Sequence, residues 1–337
     1  MTVVRATAPV RVCDAGGWTD TWFAGGGVVC SLAVAPGAQV TMEIDDAPGP
    51  VTLDIAATGE RYVVAPGEPT PARHPLLEAA LRTCPPPPGR RTRMRIEAAV
   101  PPGCGTGTSA AVVVALVAAL RAAAGNPTEP GALARIAHTV ETGLGLQSGV
   151  QDQHAAAFGG CNLIHVREYP DASVEPIDVA EDLVKALDER LVTVYLGRPH
   201  RSSQLHERVI TMMEQHRHAG DVLAPMRAAA TAAAAALRAS DLEAYGDALR
   251  DNTDAQAGLH PVLVSDDAHA LINLARDHGA AGWKVNGAGG EGGSVTIVAA
   301  ADAPRRDAML LAIDAVPAWQ RLALHYSREG AVVHAAS

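Results

Sequence analysis

One stretch of the chain decides its fold, Pro101-Pro102-Gly103-Cys104-Gly105-Thr106-Gly107-Thr108-Ser109, which the apolar run Ala110 to Leu120 follows at once. Before it, residues 92–100 alternate between apolar and charged side chains, which is typical of a strand with one buried face. The sequence therefore predicts a strand, a loop of small residues and a buried helix. Because the free N–H groups and the dipole of a first helical turn attract anions, we expect phosphate in this loop.

The loop is not a Walker A loop, since the lysine of that motif does not occur in it. Two roles stay open for the hydroxyls of Thr108 and Ser109 at the predicted helix start. They can cap the helix, or they can bind a phosphate-bound Mg²⁺.

Composition limits the partners of the chain. Hydrophobic residues make up 48% of its 337 positions and aromatic residues only 3%, so alanine, valine and leucine must fill the core. A net charge of −10 argues against nucleic acid or an anionic membrane as a partner. The apolar runs are too short to span a bilayer. We expect a small-molecule substrate and a monomer or homodimer.

The five cysteines are widely spaced and form no C-x-x-C pair, which favours neither a disulfide framework nor a zinc site. The first residues lack the long apolar core of a signal peptide. We therefore expect reduced thiols in a cytoplasmic protein.

Two further glycine loops lie beside predicted strands. The turn Ala15-Gly16-Gly17-Trp18-Thr19-Asp20 follows a strand over residues 1–13, and the loop Asn286 to Gly293 precedes a strand over 294–299. The remaining pattern predicts strands near 28–34, 40–44, 51–55, 62–64, 162–166, 191–196, 321–326 and 331–334, and helices near 74–82, 131–143, 150–158, 202–218, 222–239, 241–257, 265–278 and 304–315. Residues 169–189 are charged and irregular enough to predict a domain change. This alternation indicates an α+β fold.

Three small-residue loops are more than turns require, and together they suggest one site for a polyphosphate and a polar substrate. Phosphoryl transfer needs a metal on the phosphates, a cation at the moving group and a carboxylate near the acceptor hydroxyl. The chain has only two lysines, so arginine is the more available cation, and Arg11 at the end of the first strand is the best placed.

These motifs resemble those of a known family. Ala8-Pro9-Val10-Arg11 with the first glycine turn, then 101–111, then 284–293, are similar to the three motifs of the GHMP kinases, which include galacto-, homoserine and mevalonate kinases. The first turn and the segment Gly149-Val150-Gln151-Asp152-Gln153-His154 to Gly160 resemble the branch of D-glycero-D-manno-heptose 7-phosphate kinase and L-fucokinase. Both of these enzymes phosphorylate the anomeric hydroxyl.

The resemblance implies a two-domain fold, with an N-terminal domain like domain 2 of ribosomal protein S5 over 1–170 and a ferredoxin-like C-terminal domain over 171–337. It also implies ATP and Mg²⁺ as cofactors. The implied catalytic residues are Asp152 and Arg11, and the implied metal ligands are Ser109 and Glu141. The implied ATP-binding residues are Pro102, Gly103, Cys104, Gly105, Thr106, Gly107, Thr108, Ser109, Gly287, Ala288 and Gly289.

Gly17, Trp18, Thr19 and Asp20 are expected to bind substrate. Each of the principal residues also has a structural alternative: Asp152 can cap its helix, Glu141 can pair with Arg135 or Arg11, and Trp18 can pack in the core. Glu291 departs from the third motif, which continues with glycine, and a carboxylate there would repel a triphosphate unless it points to solvent or towards Mg²⁺.

Arg198 and Arg201 belong to a small cationic cluster before a predicted helix. Guanidinium groups at a helix start are suited to bind a substrate phosphate, although a solvated surface patch has the same composition. The resemblance implies an ATP-dependent kinase of an anomeric hydroxyl, and this cluster favours a heptose 7-phosphate or a similar sugar phosphate as the acceptor. The alternatives are an L-fucokinase-like kinase of an unphosphorylated sugar and a catalytically silent sugar or nucleotide sensor.

Overall fold

The fold is described from a computed structural model, which covers residues 1–64, 73–199, 202–215 and 219–336. The strands are β1 Thr2–Ala15, β2 Gly27–Asp45, β3 Val51–Ile55, β4 Glu60–Val64, β5 Arg91–Ala98, β6 Cys161–Glu168, β7 Asp171–Ile177, β8 Leu191–Tyr195, β9 Gly282–Val285, β10 Ser294–Val298, β11 Gln320–Leu322, β12 His325–Tyr326 and β13 Val332–Ala336.

The helices are α1 Pro75–Thr83, α2 Thr108–Ala123, α3 Pro130–Thr142, α4 Gln151–Phe158, α5 Glu181–Arg190, α6 Ser202–Gln215, α7 Ala219–Val222, α8 Ala224–Arg238, α9 Leu242–Leu259, α10 Asp266–Asp277 and α11 Ala303–Asp314.

The first sheet is built around the long strand β2. Its path runs β13-β1-β2-β5-β3-β4, and β6 and β12 also pair with β2. The first half of β2 pairs with β6 and the second half with β5, so one strand carries both parts of the sheet. Helix α2 packs on β1 and β2, and residues 110, 111 and 113–120 of this helix are buried. Alanine and valine dominate this helix, which allows a close approach to the sheet and bears out the expected aromatic-poor core.

The second sheet has the order β11-β8-β10-β9, with every pair antiparallel. Its chain order is strand, helices, strand, strand, helix, strand, which is the β-α-β-β-α-β arrangement of ferredoxin-like folds. This confirms the predicted α+β class and the ferredoxin-like unit. Helix α8 packs on β1 and β2 and on α9, and α9 packs on β9, so these two helices connect the sheets.

The region 169–189 is more ordered than the sequence predicts. Strand β7 pairs with β6 in the first sheet, and α5 follows it. The expected boundary between residues 170 and 171 lies in the turn of this hairpin, so the first sheet continues past it to Ile177. The division into two domains stays a prediction. The last strand crosses back, because β13 pairs with β1. Among the described helices, none combines the length and the apolar character needed to cross a membrane.

Candidate active site

The three glycine loops meet at one place between the sheets. The N–H of Arg11 donates to the carbonyl of Thr106 at 3.0 Å, and the N–H of Cys13 donates to Asn286 Oδ1 at 3.1 Å. Ser294 Oγ, at the end of the third loop, donates to the carbonyl of Cys104 at 2.7 Å. These bonds join the end of β1, which leads into the first glycine turn, to the second and third loops, and they join those two loops to each other. The first turn and the third loop also line one cleft, through Trp18, Asp20, Gly287 and Ala288.

The contact between the second and third loops requires glycine. Gly287 has a φ of +65°, and a Cβ atom there would lie 2.9 Å from the carbonyl oxygen of Gly105. An L-residue at position 287 would therefore be strained in its backbone and would push the loops apart. Gly287 and Ala288 also line the cleft described below.

Arg11 and Asp152 form the centre of the site. Arg11 lies on β1 and is only 4% exposed, whereas Asp152 lies in the first turn of α4 with its side chain 28% exposed. Arg11 Nε and Nη2 approach the same Asp152 oxygen at 2.9 and 2.8 Å, and Nη1 donates to the carbonyl of Gly105. Burial opposes the guanidinium charge, but the carboxylates of Asp14 and Asp152 outweigh it and hold the pKa of Arg11 above its usual value. A permanent cation thus stands between the second glycine loop and an accessible carboxylate.

A cleft opens beside this pair. It is lined by Arg11, Trp18, Asp20, Thr21, Trp22, Phe23, Gln147, Ser148, Gly149, Gln151, Asp152, Ile210, Gly287 and Ala288. The aromatic and apolar residues of this lining, here called the aromatic wall, are Trp18, Trp22, Phe23, Ile210 and Ala288. The charged and polar residues are called the polar wall. Trp22 packs edge-on against Phe23, with ring centroids 5.1 Å apart, and its indole N–H donates to Glu214 at 3.0 Å. A polyhydroxylated ring with one apolar face would match both walls.

Asp20 supplies the most deeply buried carboxylate of the cleft. It is 1% exposed, and its Oδ2 accepts the N–H of Gln151 at 2.9 Å. Burial raises the pKa of Asp20 to about 6, and the nearby carboxylates of Asp152 and Asp14 act in the same direction. Gly149 packs directly against this carboxylate, and a Cβ atom there would overlap it.

Within the first turn, Gly17 and Thr19 shape the backbone and do not line the cleft. Thr19 Oγ1 donates to the carbonyl of Gly16 at 2.7 Å and accepts the N–H of Val28 at 3.1 Å. The N–H of Gly17 donates to the carbonyl of Asp14 at 3.2 Å. Trp18 lines the cleft, but it also belongs to an apolar cluster with Ile210 and other residues, so it serves packing as well.

The second loop leads into α2 without a side-chain cap. Gly107, with φ of +68°, is the N-cap residue, and no side chain among the described residues caps the helix there. Thr108 Oγ1 bonds to Thr106 Oγ1 at 3.1 Å instead, and Ser109 is exposed. The capping alternative for these hydroxyls is therefore wrong. Cys104 is buried, and burial raises the pKa of its thiol to about 12. The thiol therefore stays neutral, and the side chain packs in the core.

Glu141 lies in a buried position near the cleft. Its Oε2 accepts Ser148 Oγ at 2.8 Å and Gln153 Nε2 at 2.5 Å, and it pairs with no arginine in the described part of the chain. Burial raises the pKa of Glu141 to about 7, against the opposing hydrogen bond from Ser148. His154 bonds to the carbonyl of Val150 and stacks on Phe158, so these contacts are within its own helix.

The residues present suit Mg²⁺. The Ser109 hydroxyl and the Glu141 carboxylate are hard oxygen donors, and Mg²⁺ takes one or two such ligands beside phosphate and water. No cluster of three or more His, Cys, Asp or Glu side chains that could hold a metal occurs in the described ranges. A two-ligand site completed by phosphate oxygens remains compatible with that finding.

Comparison with known proteins finds a family match for one part of the chain. The family described as "GHMP kinases N terminal domain" matches residues 75–160, from α1 to the end of α4. Residues 75–160 are a GHMP kinase N-terminal domain. This domain contains the second glycine loop, Glu141 and Asp152.

The curated relatives of this chain are distant. D-glycero-alpha-D-manno-heptose 7-phosphate kinase of Campylobacter jejuni is 24% identical over 57% of this chain and 57% of the relative. Mevalonate kinase of Methanothermobacter thermautotrophicus is 28% identical over 60% of this chain and 62% of the relative. The chain thus spans less than two thirds of the length of either relative in these matches.

A solved structure extends the likeness to the whole GHMP kinase fold. A D-glycero-D-manno-heptose 1-phosphate kinase from Bacteriodes thetaiotaomicron superposes with a TM-score of 0.77 at 21% identity, over 98% of each chain. At this identity the likeness establishes the fold alone.

Of the expected phosphate-binding residues, Arg198 lies within the described part of the chain. Arg198 is 62% exposed, forms an ion pair with Asp267 and does not line the cleft. Arg201 lies outside the described residues. Glu291 is exposed, and its charge acts on Arg198, so the departure from the third motif faces solvent.

Sequence reasoning missed several residues of the site. Trp22 and Phe23 follow Asp20 in a chain that has few aromatic residues, and this local concentration was a usable signal. Gln151 precedes Asp152, and its buried Oε1 accepts no hydrogen bond from the described residues. Asp14 and Lys284, which lie beneath the loops, carried no sequence signal for their pairing.

Proposed function

We propose that the protein is an ATP-dependent kinase that phosphorylates the anomeric hydroxyl of a sugar. The observation that carries this proposal is the position of the Arg11 guanidinium, which bonds both to the Asp152 carboxylate and to the carbonyl of Gly105. A cation fixed between a phosphate-type loop and an accessible carboxylate is the arrangement that phosphoryl transfer requires.

The triphosphate of ATP would lie against the second loop, where the uncapped N–H groups at the start of α2 face it. Bound Mg²⁺ would neutralise phosphate charge, and Ser109 and Glu141 are the residues that would hold it. Arg11 would stabilise the charge that develops on the γ-phosphoryl group.

Asp152 would orient the acceptor hydroxyl and take its proton. In the balanced reaction the acceptor oxygen forms a bond to the γ-phosphorus, the bond to the β-γ bridging oxygen breaks, and ADP leaves. Because such transition states are loose, positioning by Asp152 contributes more than early proton removal. Asp20 would accept a hydrogen bond from a second hydroxyl, and the aromatic wall would contact the ring.

The first candidate acceptor is a heptose 7-phosphate or a similar sugar phosphate. One of the curated relatives is named as a heptose 7-phosphate kinase. A second candidate is an unphosphorylated sugar. The engagement of Arg198 with Asp267, away from the cleft, favours this second candidate.

ATP consumption measured over a panel of sugars and their phosphates tests the proposal. We expect turnover with at least one acceptor, and its loss in Asp152→Asn. Arg198→Ala distinguishes the candidates, since it should lower kcat/KM roughly ten- to a hundred-fold for a phosphorylated sugar only, if Arg198 contacts that phosphate. ATP binding without turnover on any sugar would leave the silent sensor.

A further inference from the structure

A buried ion pair lies beneath the cleft and is not used by the proposed chemistry. Asp14 is the second-last residue of β1 and is fully buried. Lys284 lies on β9 of the second sheet and is 1% exposed. Their charged atoms, Asp14 Oδ1 and Lys284 Nζ, are 3.7 Å apart. The pair therefore links the two sheets at the point where the glycine loops converge.

This pair fixes the third glycine loop through hydrogen bonds to the backbone of Gly287. The N–H of Gly287 donates to Asp14 Oδ1 at 3.0 Å. The carbonyl of Gly287 accepts Gln256 Nε2 at 3.2 Å, and Gln256 Oε1 in turn accepts Lys284 Nζ at 3.0 Å. Both polar groups of Gly287 are thus fixed by buried side chains, and its N–H is already used within the protein.

The same carboxylate faces the catalytic arginine. Asp14 Oδ1 lies 3.8 Å from Arg11 Nη1, so it interacts with two cations. Burial lowers the pKa of Lys284, while Asp14 opposes that effect. A buried pair of this kind contributes little net stability over apolar residues of similar size, so its presence needs another explanation.

The geometry points to Asp14, Lys284 and Gln256 as positioning residues for the nucleotide. They fix the Gly287 peptide against Gly105, and thereby set the distance between the second and third loops across which ATP binds. This inference rests on the proposed function, because it assumes that ATP occupies these loops. It assigns to the pair a role in ATP affinity and not in acceptor recognition.

Two charge-balanced double variants test the role directly. Asp14→Leu with Lys284→Met removes both charges and the acceptor of the Gly287 N–H. Asp14→Asn with Lys284→Met removes the same charges but keeps an oxygen for that N–H. The dissociation constant of ATP is measured without acceptor, together with the thermal midpoint of unfolding. Asp54→Asn, which removes a buried carboxylate from an ion pair on β3 far from the loops, is the matched control.

We expect the Leu-containing double variant to bind ATP at least about tenfold more weakly than the Asn-containing one, which corresponds to about 1.4 kcal/mol. Asp54→Asn should bind ATP like the wild type. Equal dissociation constants in two folded double variants would overturn the inference. If the Leu-containing variant does not fold, Gln256→Leu decides, since it removes the second bond to the same peptide and must also weaken ATP binding. A wild type that binds no ATP would instead refute the proposed function.

Discussion

Replacing Asp20 by asparagine should make the protein more stable and less active. The carboxylate is buried beside two other acids, and its pKa rises from the ordinary 3.8 to about 6. Asparagine has nearly the same shape and can still accept the N–H of Gln151. It removes the charge that burial penalises, and it weakens the hydrogen bond that a sugar hydroxyl would donate.

The pH dependence follows from linkage. The pKa of Asp20 is 3.8 in the unfolded chain and about 6 in the native state, so between these values the native state binds more protons. The stability contributed by protonated Asp20 is therefore present at low pH and is lost as the pH rises through about 6. This rise in the pKa of Asp20 lowers the free energy of unfolding by about 3 kcal/mol at pH 8 and by about half of that at pH 5. The advantage of Asp20→Asn over the wild type should therefore grow by about 1–2 kcal/mol from pH 5 to pH 8.

Urea unfolding of wild type and variant at both pH values measures this difference. Asp54→Asn serves as the control of opposite sign, because hydrogen bonds from Arg61 and Arg93 lower the pKa of Asp54. Its replacement should cost stability at pH 8. At the same time kcat/KM for the acceptor should fall in Asp20→Asn while ATP binding is retained. An Asp20→Asn variant whose relative stability is the same at pH 5 and pH 8 would refute the reasoning about its burial.

Three further predictions concern the same cleft. Asp152→Asn should fold normally and lose about 10²–10⁴ in turnover, the range for a positioned acid–base group, with ATP affinity little changed; more than a tenth of the wild-type kcat would remove Asp152 from the mechanism. Ser109→Ala and Glu141→Gln should each raise the Mg²⁺ concentration needed for half-maximal activity, with non-additive effects in the double variant, whereas additive losses would mean two unrelated sites. Gly149→Ala should raise the KM of the acceptor, because its Cβ would displace the Asp20 carboxylate; an unchanged KM would show that this carboxylate does not contact the acceptor.

Much of the local structure could be predicted from the sequence. The strand, loop and helix over residues 91–123 follow from short-range patterns, namely alternation, clustered glycines and a continuous apolar run. The convergence of the three loops was predictable because each lies beside a strand end. The roles assigned to the residues of those loops stay predictions.

The rest depends on partners that are distant in sequence. Strand β7 was missed because it is mostly exposed, so it lacks the apolar alternation of a half-buried strand. The ion pair between Asp14 and Lys284 joins strands of two different sheets, and no sequence pattern around either residue predicts it. Arg198 forms an ion pair with Asp267, a contact across 69 positions that no local pattern encodes. Its expected contact with a substrate phosphate stays a prediction.

The pairing of the last strand with the first constrains how the chain can be synthesised and handled. Residues 3–7 of β1 pair with residues 332–336, so that side of β1 stays open until residues 332–336 have left the ribosome. An open strand edge invites pairing with other chains, and contacts between such distant residues form slowly. A nascent chain, or one that lacks β13, would therefore expose an unpaired edge of β1, the strand that carries Arg11, and this edge could pair with other chains. For the same reason, an affinity tag fused directly to β13 would disturb the pairing of β13 with β1. A tag separated from β13 by a flexible linker would leave that pairing intact.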